Sequence, residues 1–132
     1  MPELPEVETV RRGLAPAMEG AGFTKVEVRH RGLRWPIAKD FEKRLTGQTV
    51  GGLGRRAKYL LADLSSGDVL VMHLGMSGSF RVGAEAQIAK YHHETSKSTK
   101  HDHVVFHMSN GATVTFNDPR RFGSMKLVPR AK

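Results

Sequence analysis

Three carboxylates, Glu3, Glu6 and Glu8, follow directly on Pro2 in the opening stretch MPELPEVE. These residue types have a chemistry available to them. Once an initiator methionine is removed, Pro2 presents a secondary α-amine, and an α-amino group titrates near ~8 where a lysine titrates near ~10.4. At neutral pH roughly a tenth of the former, but well under a thousandth of the latter, is free base, so the terminus is the better-poised nucleophile by about two orders of magnitude. A secondary amine attacking an aldehyde-level carbon such as C1′ of a sugar yields a cationic iminium, an electron sink. Glu3 and Glu6 lie three residues apart, on the Pro2 side of a helix. One carboxyl could protonate a leaving or ring oxygen and the other shuttle a proton from the sugar. An ordinary acidic helix start fits the same residues, because proline suits the first turn and glutamate there complements the helix dipole. Spacing alone leaves both open.

Further along, two glycine-rich or proline-marked stretches carry residues of the wrong type for a turn. HLGMSGS (73–79) sets Met76 between glycines, and NDPRRFG (117–123) sets Phe122 beside Arg120 and Arg121. A soft apolar side chain and an aromatic next to guanidinium groups can stack on bases or wedge between them. Each could equally be core. His101 and His103 flank Asp102, but two ligands with no cysteine in the chain do not make a metal site, and His92 and His93 fall in a loop-like stretch. No bound metal is expected.

These residues need elements to hold them. Leu4, Val7, Val10 and Leu14 recur at helical spacing and predict an N-terminal helix that Gly13 and Pro16 weaken and end. Residues 23–30 alternate as a strand, and 38–46 predict a second short helix with Phe41 and Leu45 inward and Gly47 as its stop. Residues 58–64 and 69–74 around SSGD, and 103–108 and 112–117 around Asn110-Gly111, predict two hairpins, followed by a strand at 124–128. Residues 84–99 lack a period and predict an exposed, mobile loop. The fold class expected is α+β, mostly β: an antiparallel sandwich or barrel of about six to eight strands with an N-terminal helix and a second short helix.

Composition narrows the partners. With 132 residues and 39% hydrophobic content the chain suits one domain. A net charge of +8 and a pI near 10.2 predict attraction to polyanions, nucleic acid first. The charge is clustered, at Arg11-Arg12, 29–34, 55–58 and 119–121. No segment pairs a basic face with a broad apolar one, which disfavours a membrane surface, and without a long apolar run or signal peptide the protein reads as soluble and cytoplasmic. The absence of cysteine excludes disulfides, a thiolate nucleophile and cysteine-ligated zinc within these residues.

Six ordered blocks carry a resemblance: PELPEVET at the start, LRWP (33–36), RRAKYLL (55–61), HLGMSGSFR (73–81), KHDHV (100–104) and DPRRFG (118–123). Together they resemble the N-terminal domain of the formamidopyrimidine-DNA glycosylases, bacterial enzymes that repair oxidised purines. PELPEVET together with HLGMSGS favours this branch over the related endonuclease VIII branch. The resemblance implies a glycosylase and AP lyase that removes 8-oxoguanine and formamidopyrimidines and cuts the backbone by β,δ-elimination, acting as a monomer on double-stranded DNA with an oxidised purine or abasic site. It makes Pro2 the Schiff-base nucleophile, Glu3 the general acid or base on the opening deoxyribose, and Glu6 an aid to proton transfer. It gives Lys58 the phosphate near the lesion, with His73, His101 and Arg121 as further backbone contacts. Met76, Arg120 and Phe122 would fill the gap left in the duplex, repaying part of the few kcal/mol that extruding a base costs. Members of the family continue into a helix-two-turn-helix segment and a four-cysteine zinc finger, and residues 1–132 contain neither. Cofactors are therefore expected to be none here, the family zinc belonging to that later segment. A chain of this extent alone is expected to bind duplex DNA weakly, with a steep salt dependence and impaired turnover, and to be inert as a nucleophile wherever Met1 is retained. The rival reading is a basic DNA-binding module that does no catalysis.

Overall fold

A computed structural model describes residues 3–84 and 99–130. Pro2 lies outside the described residues, as do positions 85–98 of the expected loop, with His92 and His93. The elements run α1 (Leu4–Met18), β1 (Phe23–Val28), α2 (Phe41–Leu45), β2 (Val50–Arg56), β3 (Tyr59–Leu64), β4 (Asp68–His73), β5 (Ser79–Ala84), a 3₁₀ turn (Thr99–His101), β6 (Asp102–Met108), β7 (Ala112–Asn117) and β8 (Ser124–Pro129). The strands form two four-stranded antiparallel sheets, ordered β1-β6-β7-β5 and β2-β3-β4-β8. This is the expected mostly-β α+β architecture with two helices. The second helix is shorter than expected, five residues in place of nine.

Between the sheets Phe23 meets Phe106 edge-on at 5.2 Å, and Phe41, Leu45, Leu60, Leu70, Met72 and Phe116 are buried with them. Helix α1 packs across this core and touches both sheets. It does not end at Gly13 or Pro16 but continues to Met18. Proline there forfeits only its own N–H bond, while continuing the helix buries Ala17 and Met18 beyond Leu14. The last turn is also held from outside: the Asn110 side-chain amide donates to the Ala17 carbonyl at 3.0 Å, and the Glu19 carboxylate accepts the Leu53 N–H at 2.7 Å. At the other end the expected stripe is shifted, with Val7 buried and Leu4 exposed.

One of the three opening carboxylates is structural. Glu8 accepts from Arg11 at 2.7 Å, Arg12 at 2.9 Å and Arg55 of β2 at 3.1 Å, while Arg11 also donates to the Leu53 carbonyl. Hydrogen bonds from Arg11 first, then from Arg55 and Arg12, hold its carboxyl far below the usual carboxylate range. The bridge ties the first turns of α1 to the β2–β3 hairpin and so sets where the helix tip lies.

Candidate functional site

Strand register brings Lys58, His73, His101 and the two loops that carry Met76 and Phe122 to one end of the sandwich. The chain crosses from one sheet to the other after β4 and returns after β7, and these two crossovers are the stretches that carry Met76 and Phe122. Ser79, at the start of β5, pairs with Asn117 at the end of β7, and His73, at the end of β4, pairs with Ser124 at the start of β8. The crossovers must therefore run side by side. His73 also pairs with Tyr59, which puts the Ala57-Lys58 turn at this end, and Asp102 pairs with Asn117, which brings His101 there too.

At the helix tip Glu6 folds back to accept the Glu3 backbone N–H at 3.4 Å, and Lys58 lies 3.7 Å from the Glu3 carboxylate. The Glu3 side chain is 71% exposed and that of Lys58 34%. An exposed ion pair of this kind contributes little to stability. It leaves an acid and a cation side by side, both open to an incoming ligand. Lys58 is presented from a two-residue turn in which Ala57 adopts φ 52°, the left-handed region.

Beside this tip an open cleft of about 550 Å³ is lined by Arg34, Trp35, Tyr59, His73, Met76 and Phe122. Six large hydrophobic side chains are exposed among the described residues, and four of them, Trp35, Tyr59, Met76 and Phe122, line this one cleft. Exposed apolar groups gathered in a concave, cationic setting mark a binding surface. Met76 is 47% and Phe122 45% exposed, so neither is core. His73 accepts the Gly75 N–H on Nδ1 at 2.9 Å and packs its ring against Tyr59 at 4.8 Å. With Nδ1 accepting, the neutral ring carries its proton on Nε2, a donor for an anion.

Burial, then the nearby Lys58 and Arg34 charges, pushes the His73 imidazole below its ordinary value, and burial does the same to His103. A depressed histidine resists charging in the fold but not in the unfolded chain. Its stabilising contribution is therefore complete above the ordinary value of 6.5 and is lost as pH falls below it. The thermal midpoint is expected to drop between pH 7 and pH 5, above the range where carboxylates protonate. A flat calorimetric profile across that window would contradict it.

Arg121 of DPRRFG, at φ 59°, donates to His30 Nε2 at 2.8 Å but stays exposed, as Arg120 is, and so can still meet a phosphate. Both line an adjoining groove with Gly32, Leu33, Arg34, Trp35 and Phe122. His101 is half-buried in the 3₁₀ turn, its ring 6.2 Å from that of His103. His103 is buried and holds the Asp118 carbonyl at 2.7 Å. Asp102, between them, is taken up by Arg81 at 2.5 and 3.0 Å and by Asn117 at 2.8 Å. Among the described residues no group of three or more His, Asp or Glu is placed to hold a metal ion.

Sequence reasoning did not assign Arg34, Trp35, Tyr59, Ser77 or Asp118 to the site. The signal for Trp35 was present, a single tryptophan between arginine and proline in a basic knot. For Ser77 and Asp118 there was none, since both read as turn formers.

Comparison with known proteins agrees with this geometry. Residues 1–125 match the family described as the formamidopyrimidine-DNA glycosylase N-terminal domain. The formamidopyrimidine-DNA glycosylase of Rhodopseudomonas palustris strain BisA53 is 69% identical over 99% of this chain and 46% of its own length. That of Bradyrhizobium strain BTAi1 is 65% identical over the whole chain and 46% of its own length. The chain thus spans about half the length of the curated relatives it matches. Among solved structures, the Lactococcus lactis formamidopyrimidine-DNA glycosylase bound non-covalently to DNA containing an AP site superposes with a TM-score of 0.78 at 30% identity, over 96% of this chain and 45% of that one. The same enzyme bound to DNA containing N7-benzyl-Fapy-dG gives a TM-score of 0.78 at 31% identity, over 96% and 44%. With a family match over nearly all its residues and a sandwich that superposes on solved members, the chain belongs to the formamidopyrimidine-DNA glycosylase N-terminal domain family.

Proposed function

We propose that residues 1–132 form the N-terminal catalytic domain of a base-excision-repair glycosylase and AP lyase acting on oxidised purines, 8-oxoguanine and formamidopyrimidines, in double-stranded DNA. Three things support the reading: family membership, relatives solved on abasic or damaged DNA, and the gathering of the helix tip, Lys58 and both exposed loops at one end of a strongly basic domain. The last of these carries it, because Glu3, the residue that follows Pro2 in the chain, lies 3.7 Å from Lys58 at the end of the sandwich that also presents Met76 and Phe122.

In this mechanism the free Pro2 nitrogen forms a bond to C1′ while the C1′–N9 bond of the damaged purine breaks. Glu3 donates a proton to the sugar ring oxygen as the ring opens, leaving an iminium at C1′. Loss of a 2′ proton, which Glu6 can help to carry, expels the 3′ phosphate, and a second elimination expels the 5′ phosphate. Lys58 and the Nε2 proton of His73 hold phosphates of the damaged strand, with His101 and Arg121 as flanking contacts. Met76, Arg120 and Phe122 enter the duplex where the nucleotide has left, and stacking of this kind contributes about 1–3 kcal/mol per base. The protein acts as a monomer in the bacterial cytoplasm on nucleoid DNA. No helix among the described residues is long and apolar enough to cross a membrane.

The test is release of free 8-oxoguanine from an end-labelled duplex, with strand cleavage at the same site. Release followed by 3′- and 5′-phosphate ends supports the reading. Binding with neither release nor borohydride trapping, by protein freed of Met1, leaves a basic DNA-binding module.

A further inference from the structure

Asp118 is fully buried, and its carboxylate has two neutral donors on opposite sides: the Ser77 hydroxyl at 2.7 Å on Oδ1 and the Gly123 N–H at 2.8 Å on Oδ2. Ser77 belongs to the first crossover and Gly123 to the second. Met76 is the residue before Ser77, and Phe122 the residue before Gly123. Each exposed wedge side chain therefore sits one residue from an anchor on the same carboxyl group. The Ser77 hydroxyl oxygen in turn accepts the Arg120 N–H at 3.0 Å, so the third wedge residue hangs from the same chain of bonds. The Asp118 backbone is fixed as well: its N–H donates to the His101 carbonyl at 3.0 Å, and its carbonyl accepts from His103 and from the Arg121 N–H at 3.2 Å.

A buried carboxylate is a costly way to hold two loops, and an apolar contact would serve stability alone. What a carboxylate adds is two acceptors in one rigid plane, which fixes the loops relative to each other. Asparagine matches its size but turns an NH₂ group toward one of the two donors.

We propose that Asp118 is a positioning residue that locks Met76, Arg120 and Phe122 into one preformed wedge, so that insertion into DNA costs little ordering of the loops. The proposal rests on the DNA reading above for its functional consequence and on the free protein for its structural one, and the two are tested separately. In free protein, Asp118→Asn speeds amide exchange at Gly78 and Gly123 about tenfold or more and leaves the β3–β4 pairing unchanged. On a duplex with 2-aminopurine opposite a tetrahydrofuran abasic analogue, the fluorescence rise that reports unstacking falls about tenfold at saturating protein. Borohydride trapping on a single-stranded abasic oligonucleotide, which needs no wedge, stays within about twofold. Ser77→Ala, a milder change, gives a smaller loss of the same kind, and combining it with Asp118→Asn adds nothing further. Unchanged exchange at Gly78 and Gly123 in either folded variant would overturn the clamp. Faster exchange with an undiminished 2-aminopurine signal, or with trapping lost in step, would overturn its role in the wedge. A wild-type protein that gives neither signal nor trapping would instead sink the DNA reading.

Discussion

Glu3→Gln is expected to lower single-turnover release of 8-oxoguanine by about 10²- to 10⁴-fold, the range that a positioned general acid or base contributes. The change is close to isosteric, and the side chain is 71% exposed, paired with Lys58 and capping the Glu6 backbone N–H, a role that the glutamine amide oxygen can keep, so the fold has little reason to respond. DNA affinity is expected to rise slightly, because removing the Glu3 charge frees Lys58 for phosphate and removes a repulsion. A loss of rate with unchanged melting and unchanged or tighter binding is therefore the signature. Glu8→Gln makes the useful contrast. That carboxylate holds three arginines between α1 and β2, so its loss is expected to lower the melting temperature and disturb the placement of the helix tip. Two glutamates five residues apart thus separate cleanly, one read by kinetics and the other by calorimetry.

Gly75→Ala carries the second large effect. Gly75 stands at φ 63°, where a non-glycine residue costs about 1–3 kcal/mol, and a Cβ there would lie 2.4 Å from the Phe122 carbonyl carbon and 2.5 Å from the Gly123 nitrogen. Those are backbone atoms of the other crossover, which the pairing of His73 with Ser124 holds in place. Overpacking of this kind adds about 1–3 kcal/mol. The sum is a destabilisation of about 2–6 kcal/mol, measured by denaturant unfolding. The two loops can escape the clash only by moving apart, which separates Met76 from Phe122. A variant that melts normally and still unstacks the opposite base would show that the close approach of the loops is not needed.

How much of this was legible before any coordinates depends on the range of the forces involved. Both hairpins were readable because Asn110-Gly111 and Ser65-Ser66-Gly67-Asp68 announce turns between alternating segments, and Gly111 and Gly67 indeed adopt positive φ. Strand β2 escaped notice because Gly51, Gly52 and Gly54 weaken its intrinsic preference, and pairing with β3 makes it a strand. Strand β5 is similar, a short segment given its structure by β7. The helix was cut short on the page because Pro16 looked like a stop, whereas burial of Ala17 and Met18 outweighs the lost bond. The site residues read well individually, since an acidic start, an exposed methionine and Arg-Arg-Phe are unusual by type. Their assembly could not be read. Glu8 is tied to the sheet through Arg55, 47 residues away, and Asp118 reaches the other crossover through Ser77, 41 residues away.

The central claim is that the Pro2 nitrogen captures C1′ of a damaged nucleotide at the tip of α1. Sodium borohydride reduction of the protein with an abasic oligonucleotide, followed by proteolysis and mass spectrometry of the adduct, tests it most directly. The account predicts one crosslinked peptide carrying the deoxyribose remnant on Pro2, and its disappearance when methionine is retained ahead of that residue. An adduct on Lys58 or any other lysine, or robust trapping with the proline nitrogen blocked, would contradict it.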